Sequence, residues 1–254
     1  VVKKMDVVLC THFHGDHICQ YVAAAAIKNT KAIFIGPDEC CNEWARWGVP
    51  ENRIHRIKLN GTYKIKDAEI TAVESFDRTV LLGAHPEPKG DIRGKPELIP
   101  DMNQRAFNYV IKTPSGTVYD SGDSHFANLY LKHGRDHKID IAFCSYGDPQ
   151  IGLTDKMTAE DALRFAWSLN TKVLIPVHWD LWSTQIPDPH IIYDMHKSYK
   201  SKLKSEGYGF NLFIWRPGGR YMWPDDKNLE WYTYPKGTEK LDPNRAVMFY
   251  PSFL

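Results

Sequence analysis

The chain has 254 residues, 43% of them hydrophobic and 25% charged, with a formal net charge of +1. That is the composition of a globular protein large enough to bury a core, and so balanced a charge gives no overall pull toward nucleic acid or an anionic membrane. No apolar run approaches the roughly 20 residues of a membrane-crossing helix, and no signal peptide is visible.

The elements follow in chain order. Met5 to Cys10 reads as a strand, followed by Thr11-His12-Phe13-His14-Gly15-Asp16-His17. Alternation sends His12 and His14 to one face at the strand end, Gly15 turns the backbone, and Asp16 and His17 open the next helix. Ile18 to Ile27, with four consecutive alanines, is a helix packed against a sheet. Lys31 to Ile35 is a strand, and Pro37 starts a helix over Asp38 to Trp47 that Gly48 stops. Two hairpin-like strands follow, 53–59 and 62–66, and then a strand from Ala68 to Phe76 ending at Asp77-Arg78. Leu82 to Asp101, rich in Pro and Gly, is a long loop that reads equally as a lid or as an inserted loop without function. Phe107–Lys112 and Thr117–Asp120 form a hairpin across Thr113-Pro114-Ser115-Gly116. Ser121-Gly122-Asp123-Ser124-His125 leads into a helix through Lys132, and Ile139–Ser145 is a buried strand. Thr158 caps a helix over Ala159–Leu169. Lys172–Val177 is a strand ending at His178, Pro189–Lys204 a basic helix, and Phe210–Trp215 a last strand before an aromatic tail. Alternating strands and helices make the class α/β, in a single domain over 1–254. The five cysteines lack paired spacing and read as reduced thiols of a cytosolic protein.

Four metal-competent side chains within six residues, His12, His14, Asp16 and His17, can converge on two adjacent points, the geometry of a two-metal hydrolytic site. Asp123 and His178 also sit at strand ends. Alone, Asp123 is a helix cap and His178 a structural histidine; beside the first cluster both become ligand candidates. A carboxylate such as Asp123 can bridge two cations and lower their mutual repulsion. Asp77, directly at a strand end, is favoured over His85 on the following loop as a further ligand. An oxygen in place of a nitrogen tilts preference from Zn toward the harder Mn. Asp16 and Asp123 are candidates for orienting the nucleophile.

The pattern His-x-His-x-Asp-His resembles the signature of the metallo-β-lactamase fold, an αβ/βα sandwich of hydrolases. In that fold several strands precede the motif, so the N-terminal strands are expected to be missing from this chain. The likeness narrows further. Phe76-Asp77-Arg78-Thr79, Ser121-Gly122-Asp123-Ser124-His125, Thr154-Asp155-Lys156-Met157-Thr158, Ile175-Pro176-Val177-His178 and the terminal Ser252-Phe253-Leu254 resemble the bacterial L-ascorbate-6-phosphate lactonase family. So do Trp44 to Pro50 and Lys132-His133-Gly134. The resemblance implies a cytoplasmic, homo-oligomeric, Mn-dependent lactonase acting on a small phosphorylated lactone. A cation lowers the pKa of water toward neutrality and stabilises the oxyanion formed on attack at the lactone carbonyl. Arg78, Lys156 and the amides around Thr158 are candidates for the substrate phosphate.

A metal-dependent phosphodiesterase or ribonuclease is the competing reading, since two metals also suit phosphoryl chemistry. It would use Lys197, Lys200, Lys202 and Lys204 on the basic helix, which a solvated helix face explains more simply. Nucleic acid is therefore not the expected partner.

Overall fold

The computed structural model describes residues 4–77, 105–147, 156–179, 188–216 and 219–232. The long loop expected at 82–101 lies outside them, as do Arg78, His85 and the terminal 252–254. Strands β1 (Val7–Leu9), β2 (Ile33–Gly36) and β3 (Ile54–Arg56) pair in that order as an all-parallel sheet. Parallel neighbours need crossovers, supplied here by helices α1 (Gln20–Asn29) and α2 (Asp38–Arg46). Their apolar stripes, with Ala23, Ala26, Cys40, Cys41 and Trp44, bury one face of this sheet together with Phe34.

The second sheet has seven strands in the order β10-β9-β8-β7-β6-β5-β4. They are β4 (Thr62–Ile65), β5 (Ala68–Glu74), β6 (Phe107–Thr113), β7 (Gly116–Asp120), β8 (Ile141–Ser145), β9 (Val173–Val177) and β10 (Asn211–Leu212). Pairing is antiparallel from β4 to β7 and parallel from β7 to β10. Helices α3 (Leu129–Asp136), α4 (Ala159–Ser168) and α5 (Pro189–Lys202) contribute to a core with Val110, Tyr119, Ala142 and Leu174 of this sheet. Ile35, Ile57, Ile70, Ala72, Phe107 and Tyr109 fill the space between the two sheets. The layers run helix, sheet, sheet, helix: the expected αβ/βα sandwich.

Four local readings change. The strands expected as a hairpin at 53–66 part company: β3 joins β2 in the first sheet and β4 joins β5 in the second. Alternation marks both as half-buried strands and says nothing of what each pairs with. Asp16 and His17 do not open α1; they lie in a turn where His17 N and Ile18 N both donate to His14 O. The helix begins at Gln20 because Cys19, at φ −123° and ψ 118°, keeps the chain extended. The helix after His125 starts only at Leu129 and runs on to Asp136, since His125 N donates instead to Phe76 O. The last strand shrinks to Asn211–Leu212, followed by an isolated bridge from Ile214 to Trp231.

Candidate metal centre

Strand directions decide where the polar residues meet. β5 is antiparallel to β6 and β6 to β7, so β5 points the same way as β7, β8 and β9. The residues just beyond β5, β7 and β9, which include Asp77, Asp123 and His178, therefore emerge at one edge of the sheet. Carboxyl ends of such strands are where α/β folds place their sites. The segment after β1 is stitched to that edge by Phe107 N donating to Thr11 O (3.0 Å) and by Tyr109 Oη donating to Cys10 O (2.8 Å).

The result is two groups of potential ligands, Asp16, His17, Asp123 and His178 in one and His12, His14 and Asp77 in the other. Within each, one donor atom per residue lies within 4.8 Å of all the others. In the first group His17 Nε2 is 3.1 Å from Asp123 Oδ2, His178 Nε2 is 3.0 Å from Asp16 Oδ2, and the two Nε2 atoms are 3.3 Å apart. In the second, His12 Nε2 is 3.8 Å from Asp77 Oδ2. Asp123 joins the groups, its Oδ2 also lying 3.8 Å from His12 Nε2. His178 has φ +73°, a left-handed conformation costly for a residue with a Cβ and held only where surrounding structure enforces it.

A divalent cation fits these residues. His12 Nε2 and Asp123 Oδ1 are buried and have no hydrogen-bond partner, an arrangement that is costly unless something accepts their lone pairs. Two nitrogens with two oxygens, beside two nitrogens with one oxygen, are donor sets for borderline or hard ions rather than thiophilic ones. Outer contacts aim the donors. Thr11 Oγ1 shares a 3.0 Å hydrogen bond with His12 Nδ1, leaving Nε2 for the centre. The Cys10 thiol donates to His12 O, and Ser124 Oγ accepts from Phe76 N at 2.6 Å, bracing the residue before Asp77.

The charges are strongly coupled. Burial pushes the Asp123 carboxyl up, but the hydrogen bond from His17 and the charges of His17, His178 and His12 hold it well below the usual carboxylate range. Burial lowers His17, yet its bond to Asp123 and the charges of Asp123 and Asp16 carry it up to about 9. Burial likewise raises Asp16, and the bond to His178 with the charge of His17 brings it down to about 2. His12 is held well below its ordinary value by burial and by neighbouring His17.

Every ligand candidate read from the sequence within the described residues, His12, His14, Asp16, His17, Asp77, Asp123 and His178, lies in this one centre. Of the phosphate candidates, Arg78 is outside the described residues. Thr158 is the N-cap of α4, its Oγ1 accepting from Asp161 N, and that first turn also carries Glu160 and Asp161. Lys156 is buried with its Nζ 3.9 Å from Asp123 Oδ2. Thr11 and Ser124 carry no role in the sequence reading; only Thr11 had a signal, its place next to a candidate ligand histidine. On the basic helix, Lys197 pairs with Glu230 and Lys200 donates to Asn211 Oδ1, both at 2.8 Å, as a solvated face would have it. Among the described residues no helix is long and apolar enough to cross a membrane.

Comparison with known proteins agrees with this fold. Residues 1–179 match the beta-lactamase superfamily domain. A probable L-ascorbate-6-phosphate lactonase of Escherichia fergusonii is 45% identical over all of this chain and 70% of its own length. Its counterpart in Salmonella heidelberg is 44% identical with the same coverage. A metallo hydrolase of the archaeon Ignicoccus hospitalis superposes with a TM-score of 0.59 over 84% of this chain and 77% of its own, at 18% identity, and so shares the fold.

Proposed function

The chain belongs to the L-ascorbate-6-phosphate lactonase family of the β-lactamase superfamily, and on that premise we propose that it opens the lactone ring of L-ascorbate 6-phosphate to 3-keto-L-gulonate 6-phosphate. It is a metal-dependent lactonase, and Mn is the metal we assign, with Zn the alternative. His12, His14 and Asp77 would hold one cation, Asp16, His17 and His178 the other, with Asp123 shared between them. Bound there, divalent cations supply a water nucleophile at neutral pH and a sink for negative charge.

The chain's own residues do the rest. Asp123 and Asp16 accept hydrogen bonds from the attacking water and fix its approach to the carbonyl. The water oxygen adds to the carbonyl carbon, the bond to the ring oxygen breaks, and the ring oxygen leaves as a hydroxyl. The product is a carboxylate. Arg78 and the amides of the turn at Thr158 are assigned to the phosphate, a small-molecule partner with no role for membrane or nucleic acid. A cytoplasmic homo-oligomer is the form the family resemblance implies.

What carries this reading is one observation: Asp123 lies within 3.8 Å of histidines of both ligand groups, the placement a bridging carboxylate needs. The test is an assay of the Mn-loaded protein on L-ascorbate 6-phosphate, unphosphorylated lactone and structured RNA. The phosphorylated lactone should be preferred over the plain one by about a hundredfold in kcat/KM, with RNA untouched. Cleavage of RNA without turnover of either lactone would replace this function with the phosphodiesterase one.

A further inference from the structure

His178 follows the last residue of β9 with φ +73°, in the left-handed region that a side chain with a Cβ enters only at a cost. Asn60, Lys66 and Asn170 also have positive φ, but they stand in turns, the usual place for it. His178 carries a candidate metal ligand instead. Something beside it must hold the backbone there.

Its two neighbours show what does. Along an extended strand, residues two apart face the same side of the sheet. Val177 obeys this rule, packing with Val173, Ile175 and Phe213 on one face. Trp179 does not. Its indole, 3% exposed, lies in the core that holds Ala142, Cys144 and Leu174, on the opposite face. One left-handed residue between them reverses the alternation. It sends Trp179 to the helix side and turns His178 toward the centre, with Nε2 3.0 Å from Asp16 Oδ2 and 3.6 Å from Asp123 Oδ1.

Both flanks are pinned. On one side, Tyr146 N donates to Val177 O at 2.9 Å. On the other, the Arg216 guanidinium lies over the Trp179 ring, its Cζ 4.8 Å from the centroid, and Arg216 is itself buried. The chain leading to Arg216 is fixed in turn, since Phe213 N donates to Leu174 O at 2.9 Å and Ile214 N to Glu230 O at 2.8 Å. A cation over an indole attracts more strongly when both are out of water. Burial of so large an aromatic side chain offsets the strain stored at the residue before it.

We propose that Trp179 and Arg216 are positioning residues: the indole, buried beneath the guanidinium, holds His178 in its left-handed conformation and so aims the imidazole at the metal position it shares with Asp16, His17 and Asp123. This rests on the reading of His178 as a metal ligand and is independent of which substrate the centre serves.

The test reads metal binding rather than turnover, by chelator competition with bound Mn counted per chain. Arg216→Met, which keeps an unbranched chain and removes the charge, should weaken Mn at one of the two positions by about tenfold and leave the other as in the wild type. Arg216→Lys, which keeps a cation over the indole, should recover part of the loss. On a His178→Ala background the Arg216→Met change should move Mn affinity by less than about twofold, because the ligand it aims is already gone. The strain has its own readout. In metal-free protein His178→Gly should melt about 2–4 °C above His178→Ala, since glycine takes the left-handed backbone freely and alanine does not. Unchanged Mn affinity in Arg216→Met, an equal loss in both backgrounds, or a His178→Gly melt no higher than that of His178→Ala would overturn the proposal. Wild-type Mn binding in His178→Ala would remove the ligand reading and the proposal with it. If the expected results hold while no lactone is opened, the lactonase assignment falls and the positioning role stands.

Discussion

Thr11 and Gly122 meet behind His12, and that contact sets how the first ligand group is aimed. Gly122 has φ +48°, and a Cβ added there would fall 2.8 Å from both Cβ and Oγ1 of Thr11. Thr11 Oγ1 is the atom that holds His12 Nδ1. Gly122→Ala therefore pays twice, once for the left-handed backbone and once for pushing Thr11 away from the imidazole. We expect a loss of about 1–3 kcal/mol in stability together with a drop of about 10–100-fold in metal affinity. Thr11→Ala should reproduce the affinity loss alone, and Thr11→Ser should restore it. Competition with a chromophoric chelator measures both, and unchanged affinity in Thr11→Ala would refute the aiming role. The candidate ligand histidines were legible because their spacing is local. The partner of Thr11 was not, since nothing near residue 11 announces contact with residue 122.

At the level of elements, a buried chain of hydrogen bonds ties four of them together. Glu74 at the end of β5 bonds His133 Nε2 of α3 at 2.9 Å, His133 Nδ1 meets Tyr119 Oη of β7 at 2.7 Å, and Asn108 Nδ2 of β6 donates to that hydroxyl at 3.0 Å. His133 is 1% exposed. Replacing it with Phe keeps the volume, takes from the Tyr119 O–H its His133 partner while Asn108 still donates to that oxygen, and removes one partner of Glu74. The cost should be about 2–4 kcal/mol, seen as a lower Tm with metal content at the wild-type level; metal lost in proportion to Tm would contradict it. Sequence reading located these elements well where turn chemistry is strong, as at Thr113-Pro114-Ser115-Gly116 between β6 and β7. It misassigned the partners of β3 and β4, because strand pairing is chosen by the face each strand finds to pack on.

Across the whole molecule, the candidate centre spans the interface between the layers. His12 to His17 follow β1 of the small sheet, whereas Asp77, Asp123 and His178 follow strands of the large one. A cation held there would cross-link the two sheets and would have to displace the proton on His17. That proton sets a pH dependence. The folded-state pKa of His17 is raised to about 9, so in metal-free protein its stabilising effect is complete below the ordinary value of 6.5 and is lost as pH rises through 9. Metal-free Tm should therefore fall between pH 6.5 and 9, while metal affinity rises by up to about tenfold per pH unit over the same window. The Tm gain on adding Mn should then be largest near pH 9. Thermal melts with and without chelator check both trends, and a gain that shrinks with rising pH would be inconsistent with proton displacement at His17.

By itself the sequence determined the α/β class, most of the strands and helices, and the clustering of metal-competent donors at His12, His14, Asp16 and His17, all of which depend on periodicity, turns and short spacings. Strand-end positions beside that cluster also pointed to Asp77, Asp123 and His178. Only the tertiary structure decided that these distant carboxylates and His178 converge, that β3 and β4 belong to different sheets, and that Lys156 stands against Asp123. The reason is physical. Local backbone preferences act over a few residues, whereas strand direction, sheet stacking and close approaches such as Gly122 on Thr11 arise only when remote apolar faces are buried together.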